Sequence, residues 1–413
     1  MAQQMSSTSS MDCVLNLRPP LVAGPDFVSV IQELYGADEY GSLVFEKCLP
    51  SERDRNYLYR KRDHSSGASG SRVVFKISNQ GDSLQLLSAQ TQVILHCGNA
   101  GAPVQRVLSK IKAQESDMAA TSTTKAAHAC FPHQDYLTPL LLEKDTVAIA
   151  TKENNATRSD SSAPPAGTAR NTFWARLLTF VEGDVLSAVP PTTEIWKEAG
   201  RAVARVSDSL CDFYQKCKDM NDVAAELHDG GKNTTFQWWS RLNEDFEWNL
   251  LTYERTITKY LPSITDEAKR KFVENLVQQH GKRWRQRPEL VLAHGDPNDN
   301  NLVVTREGEV VVLDFGDLCA SFPFADASVG AAYAPSEECA KAFVNGCMEK
   351  STSLTKENDP DMIEERIHAW AKIRRATSVC ISSYQAQQHP DDEYLQCSAD
   401  QMWRTLGFQS EGK

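Results

Sequence analysis

The sequence predicts an α+β chain of two lobes, an antiparallel-sheet N-terminal lobe followed by a mainly helical C-terminal one. Three observations carry that expectation. Short segments rich in β-branched and aromatic residues gather before residue 110, apolar residues at helical spacing dominate after residue 190, and 413 residues exceed what a single small module needs.

The elements follow in order. Residues 1–24 are polar and Ser/Thr-rich, the composition of a disordered segment. Phe27, Val30, Ile31 and Leu34 then recur at helical spacing, and Gly36 stops that helix. "GSLVFEKCLPS", "RNYLYRKRD" and "SRVVFKISN", separated by polar turns, read as an antiparallel meander. "SLQLLSAQTQVILHCGNAG" carries Leu84, Leu87, Gln90, Ile94 and Leu95 on a helical register, and "APVQRVL" reads as a further strand. Residues 113–170 turn to Ser, Thr, Ala, Asn, Lys and Pro, the composition of a surface insertion, interrupted by "YLTPLLLEKDTVAIAT", which could supply a strand pair. The N-terminal lobe is thus expected over residues 25–181. The C-terminal lobe is expected over 182–407, with helices beginning at "TEIWKEAGRAVARVSDSLCDFY" and further ones at 237–260, 266–285, 336–350, 360–387 and 398–407, before a short tail at 408–413.

Composition narrows the class of function. A formal net charge of −11 offers no basic field for a nucleic-acid backbone or an anionic membrane, so neither is an expected partner. The 11 cysteines are scattered and never spaced C-x-x-C, which suggests neither a disulfide framework nor a zinc site. There is no signal-peptide pattern and no run of about 18 apolar residues, so the expected location is the cytoplasm.

The C-terminal half interrupts its helices with two apolar strands that end in polar knots, "LVLAHGDPNDNNLVV" and "VVVLDFGDLCASFPF". His294, Asp296 and Asn301 form H-x-D-x-x-x-x-N, and Asp314-Phe315-Gly316 closes the next strand. Phosphoryl transfer needs one carboxylate beside the acceptor hydroxyl, and an Asn and a second Asp to hold Mg2+ against nucleotide phosphates. A strand, a loop and a second strand in hairpin fashion would bring all three to one edge. Taken singly, each knot reads more readily as a hairpin turn; in order, with Lys76 upstream in "RVVFKIS", they point to phosphoryl transfer. The turn "PSERDRNYLYR" lacks glycine, so it is no G-x-G-x-x-G loop.

The order "LPSERDRNYLY", "VFKIS", "RLLTFVEGDVL", "HGDPNDNN" and "LDFGD" resembles the aminoglycoside phosphotransferase and choline kinase superfamily, and within it most resembles the hydroxylysine kinases. "DFEWNL" and "PDDEYLQCSADQMWRTL" are similar to that group as well, and the likeness runs from about residue 26 to 407, the insertion apart. The resemblance implies a two-lobed protein-kinase-like fold. It implies further that Asp296 orients or deprotonates the acceptor hydroxyl, that Asn301 and Asp314 bind Mg2+, and that Lys76 holds the phosphates of GTP or ATP. Leu178, Thr179 and Val181 would belong to a linker whose backbone reads the purine edge; the same stretch also suits a buried strand. Gln90 falls where the superfamily usually has the Glu that pairs with the strand lysine; it could accept a hydrogen bond from Lys76 without adding charge.

The acceptor implied is a small amino alcohol, 5-hydroxy-L-lysine first, with homoserine, choline, ethanolamine or an aminoglycoside as alternatives and a non-catalytic scaffold as the contrasting reading. Asp299 is either a partner for an acceptor ammonium or a loop cap, and Asp317 reads as a cap of the loop "DFGDLC". Lys372, Arg374 and Arg375 offer cations for an acceptor carboxylate, and Trp248, Trp370 and Trp403 offer aromatic walls, though each also suits surface charge or core.

Overall fold

The computed structural model describes residues 24–51, 53–62, 70–111, 133–143, 146–149, 172–227, 239, 242–243, 245–281, 289–354 and 360–407. The chain divides into two compact units, Met1–Leu95 with Gln105–Phe180, and His96–Val104 with Val181–Lys413. His96–Val104 goes with the second unit because the Val312 N–H donates to the Pro103 carbonyl at 2.8 Å and Val104 bridges to Val312.

The first unit is a seven-stranded antiparallel sheet ordered β1-β2-β3-β7-β5-β6, with β4 also on β7. The strands are β1 Leu43–Leu49, β2 Arg55–Lys61, β3 Arg72–Ile77, β4 Val107–Leu108, β5 Thr138–Glu143, β6 Thr146–Ile149 and β7 Thr172–Thr179. The meander and the strand pair within the insertion stand as the sequence leads one to expect. The N-terminal segment and most of the rest of the insertion lie outside the described residues.

Alternation along these strands sorts the side chains onto two faces. Tyr57, Tyr59, Val73, Phe75, Ile77, Ala175 and Leu177 form one buried cluster with Phe27, Val30 and Ile31 around helix α1, Val28–Tyr35. Phe27 packs on the rings of Tyr57 and Phe75 at 4.8 and 5.4 Å. Gly36 ends α1 with φ +106, a conformation that glycine adopts at little cost. Lys76 and Arg176, lying between members of that cluster in sequence, take the opposite face and are cross-strand partners in the β3–β7 ladder. After a short helix α2 at Ala37–Tyr40 comes α3, Leu84–Asn99, which carries Gln90.

The second unit is helical, with α4 Thr193–Leu227, α5 Tyr253–Tyr260, α6 Glu267–His280, α7 Ala325–Ala332, α8 Glu337–Lys350, α9 Pro360–Gln388 and α10 Glu393–Leu406. Within the stretch 237–260 expected as one helix, Trp239 is helical, a 3-10 turn capped by the Asn249 side chain follows at Leu250–Thr252, and α5 starts at Tyr253; part of the remainder lies outside the described residues. Helices α4 and α8 cross backbone to backbone. A Cβ on Gly200 would stand 2.0 Å from the Phe343 carbonyl oxygen, and one on Gly346 2.0 Å from that of Lys197. Every residue of α7 is buried, so it has no polar face and no periodic signal. Among the described residues no helix is long and apolar enough to cross a membrane.

Two small sheets interrupt the helices. β11 (Val310–Val312), β10 (Leu302–Val304) and β8 (Asp184–Val185) form one; β9 (Val291–Ala293) and β12 (Cys319–Ser321) form the other. The polar knots therefore do not sit at the ends of one hairpin, as the strand spacing suggests. The first follows β9, the second follows β11, and β9 takes as its partner the strand after the second knot. The backbone reverses so soon after Asp314 that β12 closes the circuit.

Candidate active site

In the second unit the chain leaves β9 through His294, Gly295 and Asp296. Gly295 has φ +86, and a Cβ there would meet the Asp317 carbonyl oxygen at 2.2 Å, so glycine is required both by conformation and by space. Asp326, buried at the start of α7, fixes this turn. Its Oδ2 accepts the His294 N–H and the Ser207 hydroxyl, and its Oδ1 accepts the Gly295 N–H, each at 3.0 Å.

The His294 ring is buried over Phe315, with centroids 4.6 Å apart. Its Nε2 lies 2.8 Å from the Leu313 carbonyl and its Nδ1 3.3 Å from the Asp296 N–H. A carbonyl can only accept and an amide N–H only donate, so the proton belongs on Nε2. His294 is thus a tie between the two knots rather than a proton carrier.

The Asp296 carboxylate is held on both oxygens. Arg374 Nη2 donates to Oδ1 at 2.7 Å, and Asn298 Nδ2 to Oδ2 at 2.7 Å. Asn301 Nδ2 donates to the Asp296 carbonyl at 2.8 Å and to Oδ2 at 3.2 Å. Because the carbonyl can only accept, the Asn301 amide is oriented with its nitrogen toward Asp296, and its Oδ1 remains as an acceptor. Arg374 is 1 % exposed, donates through Nη1 to the Trp248 carbonyl at 2.7 Å, and lies over the Trp248 ring at 4.7 Å and the Tyr333 ring at 5.9 Å. A planar cation sandwiched by aromatic rings and forked onto two oxygens has little freedom.

Four residues read from the sequence as candidates for an acceptor pocket are placed otherwise. Arg374 is committed to Asp296, and Trp248 is the platform beneath it. Arg375 points into the C-terminus of α7 and donates to the carbonyls of Ala332 at 2.6 Å and Ala331 at 3.3 Å, a helix cap. Trp370 is core, packed on Phe322 at 4.6 Å and on Tyr253 at 5.3 Å.

Asn301 and Asp314 are neighbours across the open end of the β10–β11 hairpin. The Leu313 N–H donates to the Asn301 carbonyl at 2.8 Å, directly beyond the Leu302–Val312 pair. Asp314 has φ +53, a left-handed conformation unusual for a residue with a Cβ, and its Oδ1 accepts the Gly316 N–H at 3.1 Å. Two hard oxygen donors from adjacent strands suit Mg2+, which takes few protein carboxylates and fills its shell with phosphate and water. Among the described residues no group of three or more His, Cys, Asp or Glu is placed to hold a metal, so nothing there resembles an all-protein cage.

Asp299 lies on the same loop and is 9 % exposed; burial pushes its carboxyl up to about 6, against hydrogen bonds from its own and the Asn300 N–H.

The first unit holds Lys76. Its Nζ is 2.8 Å from Asp54 Oδ2, in the turn between β1 and β2. Gln90 Oε1 accepts from Arg176 Nη2 at 3.0 Å, and Thr91 Oγ1 from Nη1 at 3.3 Å. Leu178 is buried in the sheet, paired with Val74 and Val107. Thr179 spends its backbone inside the unit: its N–H goes to the Arg106 carbonyl at 2.9 Å, and its carbonyl takes Gln105 Nε2 at 2.6 Å. The Phe180 N–H goes to the Arg72 carbonyl at 3.2 Å. The Thr179 N–H, read from the sequence as facing a purine edge, is thus engaged within the unit.

Asp54, Arg176, Asn298 and Asp326 were not among the expected site residues. Two of them had a signal in the sequence. Arg176 is a lone charge within the apolar strand "TFWARLLTF", and Asp54 precedes by two residues the Asn56 that lies opposite Lys76.

Residues 167–347, which span both knots, match the model of the phosphotransferase enzyme family, APH. Hydroxylysine kinase from Bos taurus is 23 % identical over 258 residues, covering 58 % of this chain and 62 % of that protein. The Mus musculus protein of the same name is 22 % identical with the same coverage, so the match spans less than two thirds of these relatives. Among solved structures, a complex of amicoumacin kinase hAmiN with AMP-PNP, Ca2+ and Ami superimposes with a TM-score of 0.50 at 13 % identity, covering 92 % of this chain and 91 % of that one. The chain has the protein-kinase-like α+β fold, and its residues 167–347 carry the signature of the phosphotransferase enzyme family.

Proposed function

We propose that the protein is a small-molecule kinase that transfers the γ-phosphoryl group of GTP or ATP to an alcohol, with 5-hydroxy-L-lysine as the acceptor. The observation that supports the chemistry is that Asn301 donates to Asp296 and that Asp314 follows Leu313, whose N–H donates to the Asn301 carbonyl. The acceptor rests on the likeness to the two hydroxylysine kinases.

Asp296 receives the acceptor hydroxyl as a hydrogen-bond donor and turns its oxygen toward the phosphorus. Arg374 and Asn298 hold the carboxylate in one rotamer, so the hydroxyl meets an acceptor whose position is already set. As the new O–P bond forms and the bond to the nucleoside diphosphate breaks, the hydroxyl proton passes to Asp296. Asn301 Oδ1 and the Asp314 carboxylate would hold Mg2+, which neutralises charge on the phosphate oxygens. Lys76 adds a cation for the nucleotide phosphates, and Asp299 would offer a carboxylate to the ammonium group of the acceptor.

Purified protein with Mg2+, either nucleotide and hydroxylysine is expected to yield phosphorylated hydroxylysine and nucleoside diphosphate. Asp296→Asn is expected to lose turnover by about 10²-fold or more while nucleotide binding survives. Full activity in Asp296→Asn removes the assigned base. Turnover with choline, homoserine or an aminoglycoside and none with hydroxylysine keeps the chemistry and replaces the acceptor.

A further inference from the structure

Lys76 is 5 % exposed and Asp54 6 %, so their ion pair is buried. The other Asp54 oxygen, Oδ1, accepts the Asn79 N–H at 2.9 Å, and the Asp54 N–H lies 3.2 Å from Ser51 Oγ. The Asn79 side chain reaches back to the Arg53 carbonyl at 3.1 Å, and Arg53 pairs with Asp82 at 2.5 Å. The tip of the β1–β2 turn is thereby fastened to the end of β3, next to the lysine.

In protein kinases the strand lysine is held by a Glu from the following helix. The helix residue here is Gln90, and it accepts from Arg176. Lys76 and Arg176 face each other across β3 and β7, so two cations share one buried face. A Glu at position 90 would be drawn to Arg176, whose fork suits a carboxylate better than an ammonium does. Asp54 brings its charge to Lys76 from the β1–β2 turn, while Arg176 donates to Gln90 and Thr91.

We propose that Asp54 is the positioning residue for Lys76. The carboxylate that holds the phosphate-binding lysine comes from the β1–β2 turn rather than from the helix, and neutral Gln90 is spent on orienting Arg176. Held by Asp54 at 2.8 Å, the ammonium of Lys76 is set in one place as a cation for phosphate oxygens.

The inference rests on the kinase reading for the role of Lys76, and the experiment separates the two. Dissociation constants for the Mg2+ complexes of GTP and ATP are measured by calorimetry on the full-length chain, for wild type, Lys76→Met, Asp54→Asn and the double variant. Lys76→Met is expected to weaken binding about tenfold or more, and Asp54→Asn to weaken it by a comparable factor. The double variant is expected to bind as Lys76→Met alone does, because Asp54 acts only through the lysine. A double variant that loses a further factor equal to that of Asp54→Asn overturns the proposal, as does wild-type binding by folded Asp54→Asn. If Asp54→Asn does not fold because Lys76 is stranded, the double variant removes both charges and the comparison with Lys76→Met still decides. Wild-type affinity in Lys76→Met defeats the phosphate role of Lys76 itself.

Discussion

Replacing Arg374 by Met tests the center of the site. The change takes away a guanidinium that is almost wholly buried and leaves Asp296 without its cation and the Trp248 carbonyl without that donor. Removing one member of a buried ion pair costs roughly 3–5 kcal/mol. Asp296 is only partly enclosed and keeps Asn298 and Asn301, which places the loss near the lower end, ~3 kcal/mol. Adding Asp296→Asn removes the stranded charge, so the double variant should be more stable than the sum of the single losses by about 2 kcal/mol. Urea denaturation followed by tryptophan fluorescence measures all four proteins. Strictly additive losses would refute the pairing as an energetic unit. Arg374→Lys keeps a charge but not the fork; it should fold better than Arg374→Met yet turn over more slowly than wild type with whichever acceptor the wild type uses, since the carboxylate regains freedom.

Two further outcomes follow from the same loop. Asp299 has a folded-state pKa of about 6 against 3.8 for the ordinary carboxyl, so the folded chain holds its proton more firmly than the unfolded chain does. The stability this contributes is fully present below about pH 4 and is lost as pH rises through 6. Asp299→Asn should flatten the profile in that window and leave the protein more stable at pH 7 by up to about 3 kcal/mol, read by denaturation at each pH. A steeper profile would refute the burial argument, and a raised KM for the acceptor with kcat intact would assign Asp299 to its ammonium. Gly295→Ala should abolish turnover and lower the melting temperature, because the new methyl group meets a backbone oxygen that cannot move alone. A wild-type melting curve for that variant would contradict the turn geometry.

The sequence was most informative where one period or one motif decides the outcome. The β-branched and aromatic runs "RNYLYRK" and "RVVFKI" announce β2 and β3 as strands, while burial on both faces leaves no alternation to say which face Lys76 takes. The knots singled out Asp296, Asn301 and Asp314 through their order and spacing taken together with the lysine strand upstream. Arg374 was visible only as one charge of several on a helix, because its role depends on where α9 passes, 78 residues along the chain from Asp296. Helix α7 gave no signal because it is buried all round, and with it went Asp326, whose work is to hold two backbone N–H groups. The pairing of β9 with β12 was hidden for a related reason: both strands are three residues long, and the strained turn after Asp314 sets their partnership.

The crossing of α4 and α8 has a mechanical consequence. Where helices meet through side chains, a change of temperature or sequence is absorbed by rotamers, and the axes can slide. At Gly200 and Gly346 there is no such layer; backbone rests on backbone, with the Cys347 thiol donating to the Gly200 carbonyl at 3.3 Å and Lys197 and Arg201 clasping Glu349 at 3.0 and 2.9 Å. The two helices act as one girder. Ser207 projects from that girder to Asp326, and Asp326 holds the turn that carries Asp296. The position of the candidate base is thus referred to this crossing, and a methyl group added at Gly200, about two turns of α4 before Ser207, would be felt there as a displaced carboxylate.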